Sequence, residues 1–99
     1  MSESKSHKDA SNRIANKFNV DYNNGKGVDI KAPRATIEVE TSETVSEAPR
    51  QLRGHRGPVF IAGTNQEAVN KALEITEGTT IGVMNRMGKI VKPSTRKRR

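Results

Sequence analysis

The clearest pattern of apolar and polar positions lies between Gly27 and Thr41, where Val28 and Ile30 alternate with Asp29 and Lys31, and Ile37 and Val39 alternate with Thr36, Glu38 and Glu40. Period-two alternation marks strands that bury one face. Two strands are predicted, Val28 to Lys31 and Ala35 to Glu40, joined by a tight turn at Ala32-Pro33-Arg34. A hairpin with Lys31 opposite Thr36 sets Ile30 against Ile37, Asp29 against Glu38 and Val28 against Val39. The apolar side chains then share one face, and Asp29, Glu38 and Glu40 share the other. A slip of one residue would mix the two sets, so the pattern specifies the pairing.

Ahead of the hairpin, Ala10, Ile14 and Phe18 recur every four residues with Ala15 beside them. That spacing predicts an amphipathic helix from about Asp9 to Phe18. Asn19 to Lys26 contains the turn sequence Tyr22-Asn-Asn-Gly25, with Val20 to Tyr22 a candidate short strand. After Glu40, the run Thr41 to Ser46 is rich in helix-starting residues, and Pro49 is tolerated only in a first turn. A helix is therefore expected from just after Ser46 to about Arg53, stopped by Gly54. Pro58 to Ala62 is a continuous apolar run between Gly57 and Gly63, the signature of a strand buried on both faces. Thr64-x-x-Glu67 reads as a capping box opening a helix with Ala68, Val69, Ala72, Leu73 and Thr76 on one face, and Gly78 ends it. Thr80 to Met84 and Lys89 to Lys92 read as strands about the turn Asn85-Arg86-Met87-Gly88.

The order is helix, hairpin, helix, buried strand, helix, hairpin, tail. A strand–helix–strand–helix–strand series from Ala35 onward requires crossover connections, hence an α/β fold with a mixed β-sheet flanked by helices. At 99 residues the chain holds one small domain. The expected layout is a disordered segment 1–8, a domain over 9–92 and a flexible basic tail over 93–99. Hydrophobic residues are 31% of the chain, with one Tyr and two Phe, so the core must be thin. A thin core makes a small domain marginal alone, and a homodimer is expected.

Charge and composition narrow the chemistry. There is no cysteine, which excludes disulfides, zinc–thiolate sites and thiol nucleophiles. No apolar run approaches the roughly 20 residues of a membrane span. The opening Met1 to His7 has no apolar core of a secretory signal, so a soluble cytoplasmic protein is expected. The formal net charge is +7. Arg50, Arg53, His55 and Arg56 form one basic cluster, and Arg96, Lys97, Arg98 and Arg99 end a tail without an acid. Clustered Arg and Lys are the footprint of a polyanion binder. DNA, as duplex or junction, is the expected partner rather than a membrane; scarce aromatics argue against recognition by base stacking. The alternative is a solvated charged face and a tail that only solubilises or recruits RNA.

The three carboxylates are the candidate chemistry. Opposed side chains in a ladder lie about 4.5–5.5 Å apart, where like charges repel. A divalent cation is the simplest counter-charge, and hard oxygen donors suit Mg²⁺, Mn²⁺ or Ca²⁺. The alternative is that Asp29, Glu38 and Glu40 form the solvated face of an amphipathic hairpin.

Asp29, followed by eight residues and then Glu38-Val39-Glu40, resembles the metal-binding core of the PD-(D/E)xK nuclease superfamily, which includes restriction endonucleases and archaeal Holliday-junction resolvases. The matching residues are Gly27-Val28-Asp29-Ile30 and Ile37-Glu38-Val39-Glu40-Thr41-Ser42, and the order of elements over about residues 9–85 is similar. The resemblance implies a restriction-endonuclease-like fold and Mg²⁺- or Mn²⁺-dependent hydrolysis of DNA phosphodiesters. It implies that Asp29 and Glu38 bind the metal, with the Val39 carbonyl and Glu40 completing the site. Glu40 stands where the family usually carries Lys, a departure that bears on catalysis more than on fold. Lys31 is the candidate substitute for that Lys. Gln51 lies in the helix after the acidic strand, where some members carry a Gln or Lys near the site; a surface amide is its alternative.

Other chemistries find no support. Asn24-Gly-Lys-Gly27 lacks the spacing of a phosphate-binding Walker loop. No Gly-x-Ser-x-Gly elbow occurs, and His7 and His55 lack metal-ligand spacing. Three readings follow. They are a metal-dependent, structure-selective DNA endonuclease, a nucleic-acid-binding protein of the same fold without catalysis, and a basic RNA- or ribosome-associated protein.

Overall fold

A computed structural model of the chain describes residues 5–17, 30–32, 35–52 and 57–95. The first helix, α1, spans Lys5–Lys17. It starts four residues before the expected Asp9, so residues 5–8 are helical rather than disordered. Lys5 to Lys8 contains no helix breaker and no apolar residue, and a purely polar turn leaves no mark on a hydrophobic period. Ala10, Ile14 and Ala15 are buried as the stripe required, whereas Phe18 lies outside the described residues.

The hairpin forms in the predicted register. Strand β1, Ile30–Ala32, runs antiparallel to β2, Ala35–Glu40, with Ile30 opposite Ile37 and Lys31 opposite Thr36. Val28, Asp29 and the Pro33-Arg34 turn lie outside the described residues, as do the candidate strand Val20 to Tyr22 and the Asn24 to Gly27 turn.

A 3₁₀ turn at Val45–Glu47 leads into α2, Ala48–Leu52, which places Pro49 in the first α-helical turn. Strand β3, Val59–Gly63, then lies parallel to β2. Helix α3, Gln66–Ile75, carries the chain to β4, Gly82–Met84, which is parallel to β3. Strand β5, Ile90–Lys92, returns antiparallel, giving one mixed sheet of order β1-β2-β3-β4-β5.

The parallel register assigns the faces. Ala35, Ile37 and Val39 pack with Ile30, Phe60, Ala62 and Met84 against α1. Val59, Ile61 and Val83 pack on the other side against Val45, Ala48 and Leu52 and against Val69 and Ala72 of α3. The domain is therefore three layers, with α1 on one face and α2 and α3 together on the other. Full burial of an aliphatic side chain contributes about 1.5–3 kcal/mol, and every residue of β2 is buried. Slipping β2 by one residue would push two carboxylates into the α1 layer.

Three local devices set the ends of the elements. Asn65, not Thr64, caps α3: its side chain accepts from the Ala68 N–H at 2.8 Å. Thr64 is drawn into the sheet instead, its N–H donating to the Glu40 carbonyl at 3.0 Å, so the cap falls one residue later than the sequence box. Gly63 lets α3 sit directly on the strand end, since a Cβ there would lie 2.6 Å from the Val69 nitrogen. At the far end, the Lys92 ammonium donates to the carbonyls of Thr76, Thr79 and Ile81. A cation at the carbonyl-rich C-terminus of a helix is favourable.

The start of the tail is hydrogen-bonded to the sheet. Ser94 Oγ accepts from the Val59 N–H and donates to the Thr80 carbonyl, and the Thr95 N–H donates to the same carbonyl at 3.0 Å. The first amide of β3 needs an acceptor, and Ser94 supplies it. Residues 96–99 lie outside the described part. Among the described residues no helix is long and apolar enough to cross a membrane.

Candidate functional site

Strand β2 carries the candidate carboxylates. Glu38 lies opposite Ile61 and Glu40 opposite Gly63, so both side chains project from the face covered by α2 and α3. Glu38 is 3% exposed and Glu40 6% exposed. The solvated-face alternative is thereby excluded for these two acids: β2 is buried on both sides.

Such burial has consequences. Residues two apart on a strand have Cα atoms roughly 6.5–7 Å apart. Two ionised carboxylates at that spacing repel by about 2–3 kcal/mol at an effective dielectric of about 20. Removing them from water costs more unless donors, protons or a cation compensate. Neither Glu38 nor Glu40 is without an interaction.

Asp29 lies outside the described residues. Among the described residues no group of three His, Cys, Asp or Glu side chains could hold a metal ion. The two carboxylates of β2 nevertheless suit Mg²⁺ or Mn²⁺ by donor type, since Mg²⁺ is commonly held through one or two carboxylates and keeps several waters. The side chain of Val39 lies in the core beneath α1. Thr36 and Glu40 make their main-chain bonds toward β3. By strand alternation the Val39 carbonyl therefore points toward β1, in the plane of the sheet rather than onto the acidic face.

The chain just after Glu40 is firmly held. Thr41 and Thr44 exchange hydrogen bonds across a turn, with the Thr41 N–H donating to Thr44 Oγ1 at 3.0 Å. The Lys71 ammonium, from α3, donates to the Ser42 carbonyl at 3.1 Å. Lys71 is thus a cation near the end of the acidic strand that the sequence did not single out. Only the α/β topology joins it to a residue so distant along the chain.

The other predicted site residues are spread over the surface. Lys31 is exposed opposite Thr36, diagonal to Glu38, and makes no ion pair among the described residues. Arg50 is exposed on α2 and pairs with Glu47 at 3.2 Å, an arrangement contributing about 0–1 kcal/mol. Gln51 is exposed beside it. Arg53, His55 and Arg56 lie outside the described residues, as do Arg96, Lys97, Arg98 and Arg99. His7 is half-buried on α1.

Two clefts that the sequence did not suggest open where β3 and β4 end. One, of about 240 Å³, lies between the start of α3 (Asn65, Gln66, Val69) and the β4–β5 turn (Asn85, Arg86, Met87). The other, of about 130 Å³, is lined by Asp9, Ala10, Arg13, Thr64 and Arg86.

Fold and site together define an α/β domain with a buried, acid-bearing strand next to the centre of the sheet and basic side chains at the ends of its parallel strands. No family model matches the chain, and neither a curated protein nor a solved structure shows a significant match.

Proposed function

We propose that the chain is a metal-dependent DNA endonuclease that hydrolyses phosphodiesters and selects its substrate by DNA structure. The observation that carries this reading is the pair Glu38 and Glu40, both buried and both on one face of the interior strand β2. Two carboxylates buried side by side on one strand face are hard-oxygen donors of the kind that bind Mg²⁺ or Mn²⁺, and a cation there turns them into a binding site. A bound Mg²⁺ or Mn²⁺ supplies a counter-charge for the scissile phosphate and lowers the pKa of an attacking water.

In this reading Glu38 and Glu40 fix the cation's position, and Asp29 joins them as a third carboxylate. Lys31, exposed diagonally across from Glu38, stands in for the Lys that the PD-(D/E)xK pattern places at Glu40, and the Val39 carbonyl, turned toward β1, takes no part. Arg50, Arg53, Arg56 and the 96–99 tail hold DNA phosphates. A homodimer belongs to the same proposal, with the exposed Met87, Ile90 and Val91 at the β5 edge as its apolar surface; sedimentation at equilibrium tests it, and a monomer at every concentration removes it.

The near-complete burial of Glu38 and Glu40 favours a second reading, in which the fold binds nucleic acid without cutting it, because a phosphodiester needs access to the carboxylates. Manganese binding followed by electron paramagnetic resonance separates the two. Saturable binding that Glu38→Gln weakens at least tenfold fits the nuclease, and absence of binding in the folded wild type removes it.

A further inference from the structure

The β4–β5 turn brings Arg86 to the end of the parallel strands, and α1 brings Arg13 to the same cleft, where Thr64 and Asp9 also line the wall. Each part is held in place. Asn85 Oδ1 accepts from the N–H groups of Met87 and Lys89, at 2.8 and 3.0 Å, which fixes the turn around Arg86. Arg13 Nη1 donates to Met87 Sδ at 3.5 Å, tying α1 to that turn. Among the described residues neither Arg13 nor Arg86 forms an ion pair, although Asp9 lies one helical turn from Arg13. Two guanidinium groups therefore line a shared cleft, with Asp9 as the carboxylate on its wall.

The Thr64 side chain is the second observation. Thr64 is 6% exposed, and its Oγ1 is buried without a hydrogen-bond partner. A buried hydroxyl that finds no partner costs about 1–3 kcal/mol. Asn65 does not use it, because the cap is made by the Asn65 side chain itself. Thr64 immediately precedes that cap. The Asn65 side chain takes the Ala68 amide and the Asn65 carbonyl takes the Val69 amide. The amides of Gln66 and Glu67 are then the ones the helix leaves without an intrahelical acceptor.

We infer that Arg13, Arg86 and Thr64 form a binding site for a phosphate group beside the start of α3, where Gln66 lines the adjoining cleft together with Arg86. Guanidinium forks match tetrahedral oxyanions, and a hydroxyl donates to one oxygen. The cleft volume, about 130 Å³, is large enough to admit a phosphate. Asp9 opposes the anion, leaving a net charge of one positive unit from the three ionised groups on the cleft wall. The phosphate is either part of a nucleic-acid backbone or a free phosphate. The site needs neither a metal nor the carboxylates of β2, so it stands or falls separately from the nuclease reading.

Amide shifts in nuclear magnetic resonance spectra test this directly, with inorganic phosphate and a short DNA duplex as the two probes. The comparison is between the wild type, the double variant Arg13→Gln/Arg86→Gln and the single variant Thr64→Val. Both arginines are exposed, so their replacement spares the core, and Thr64→Val removes only a hydroxyl that the fold does not use. Circular dichroism checks that all three remain folded. Saturable shifts at Thr64, Gln66 and Glu67 with inorganic phosphate, weakened at least tenfold by the double variant and severalfold by Thr64→Val, establish a free-phosphate site. The same shifts with duplex alone, weakened likewise and with a shallower salt dependence of about one to two phosphate contacts, assign the phosphate to the backbone. If neither probe moves these amides, or if the double variant binds both probes as the wild type does, the inference is overturned.

Discussion

The main-chain N–H of Thr64 donates to the carbonyl of Glu40 at 3.0 Å. This bond extends the β2–β3 ladder one residue past Gly63 and ties the last residue of the acidic strand to the residue that opens the loop into α3. It also moves the helix cap to Asn65, whose side chain accepts from Ala68.

The cap assignment predicts an asymmetry between neighbours. Asn65→Ala removes the accepting side chain and costs about 1 kcal/mol, which lowers Tm by roughly 4–8 °C in a domain of this size. Thr64→Ala leaves the cap intact and shifts Tm by much less. Thermal unfolding followed by circular dichroism checks both, and equal losses would contradict the assignment.

Close approach of α3 to the sheet predicts a second effect. Gly63→Ala places a Cβ 2.6 Å from the Val69 backbone nitrogen, a contact that no side-chain rotation relieves. Overpacking of this kind costs about 1–3 kcal/mol. Denaturant unfolding should show a lower midpoint with little change in slope.

Lys92 predicts the third. Its ammonium bonds three carbonyls near the C-terminus of α3 and in the segment leading to β4. Lys92→Met keeps the apolar stem and removes the charge, and it should cost about 1–2 kcal/mol. Amide hydrogen exchange should quicken around Thr76 to Ile81 first. Unchanged exchange in that segment would show that Lys92 contributes nothing there.

Much of this architecture was legible in the residues. The alternation of Ile37 and Val39 with Glu38 and Glu40 fixed the hairpin register, because only one pairing keeps both sets together. The continuous run Pro58 to Ala62 announced a strand covered on both faces, and β3 is buried throughout. What the pattern could not show was that the acidic face of β2 is covered as well. Alternation says that two faces differ, not that one of them meets water, and α2 and α3 reach that face only through the crossovers. The start of α1 was hidden because Lys5 to Lys8 has no apolar residue to register a period. Arg13, Thr64 and Arg86 were missed for another reason. They come from three elements far apart in sequence; Arg13 and Arg86 alone read as ordinary surface or turn residues, and Thr64 as a helix cap.

Metal linkage gives a further prediction. A ligand that binds only the folded state at about 100 times its Kd adds about 2.7 kcal/mol of stability. Saturating Mg²⁺ should therefore raise Tm by roughly 10–20 °C in the wild type. Glu38→Gln should show little of that rise. A rise of equal size in both proteins would place the cation elsewhere.

Cleavage is the most direct test of the nuclease reading. Labelled linear duplex, single strand, flap and four-way junction would be incubated with the protein in Mg²⁺ and in Mn²⁺, beside an identically purified and folded Glu38→Ala. The account predicts cuts that require the metal, favour branched DNA over linear duplex and vanish in Glu38→Ala. Retardation of the DNA without cuts, unchanged by EDTA and by Glu38→Ala, would contradict it and leave a domain that binds nucleic acid only.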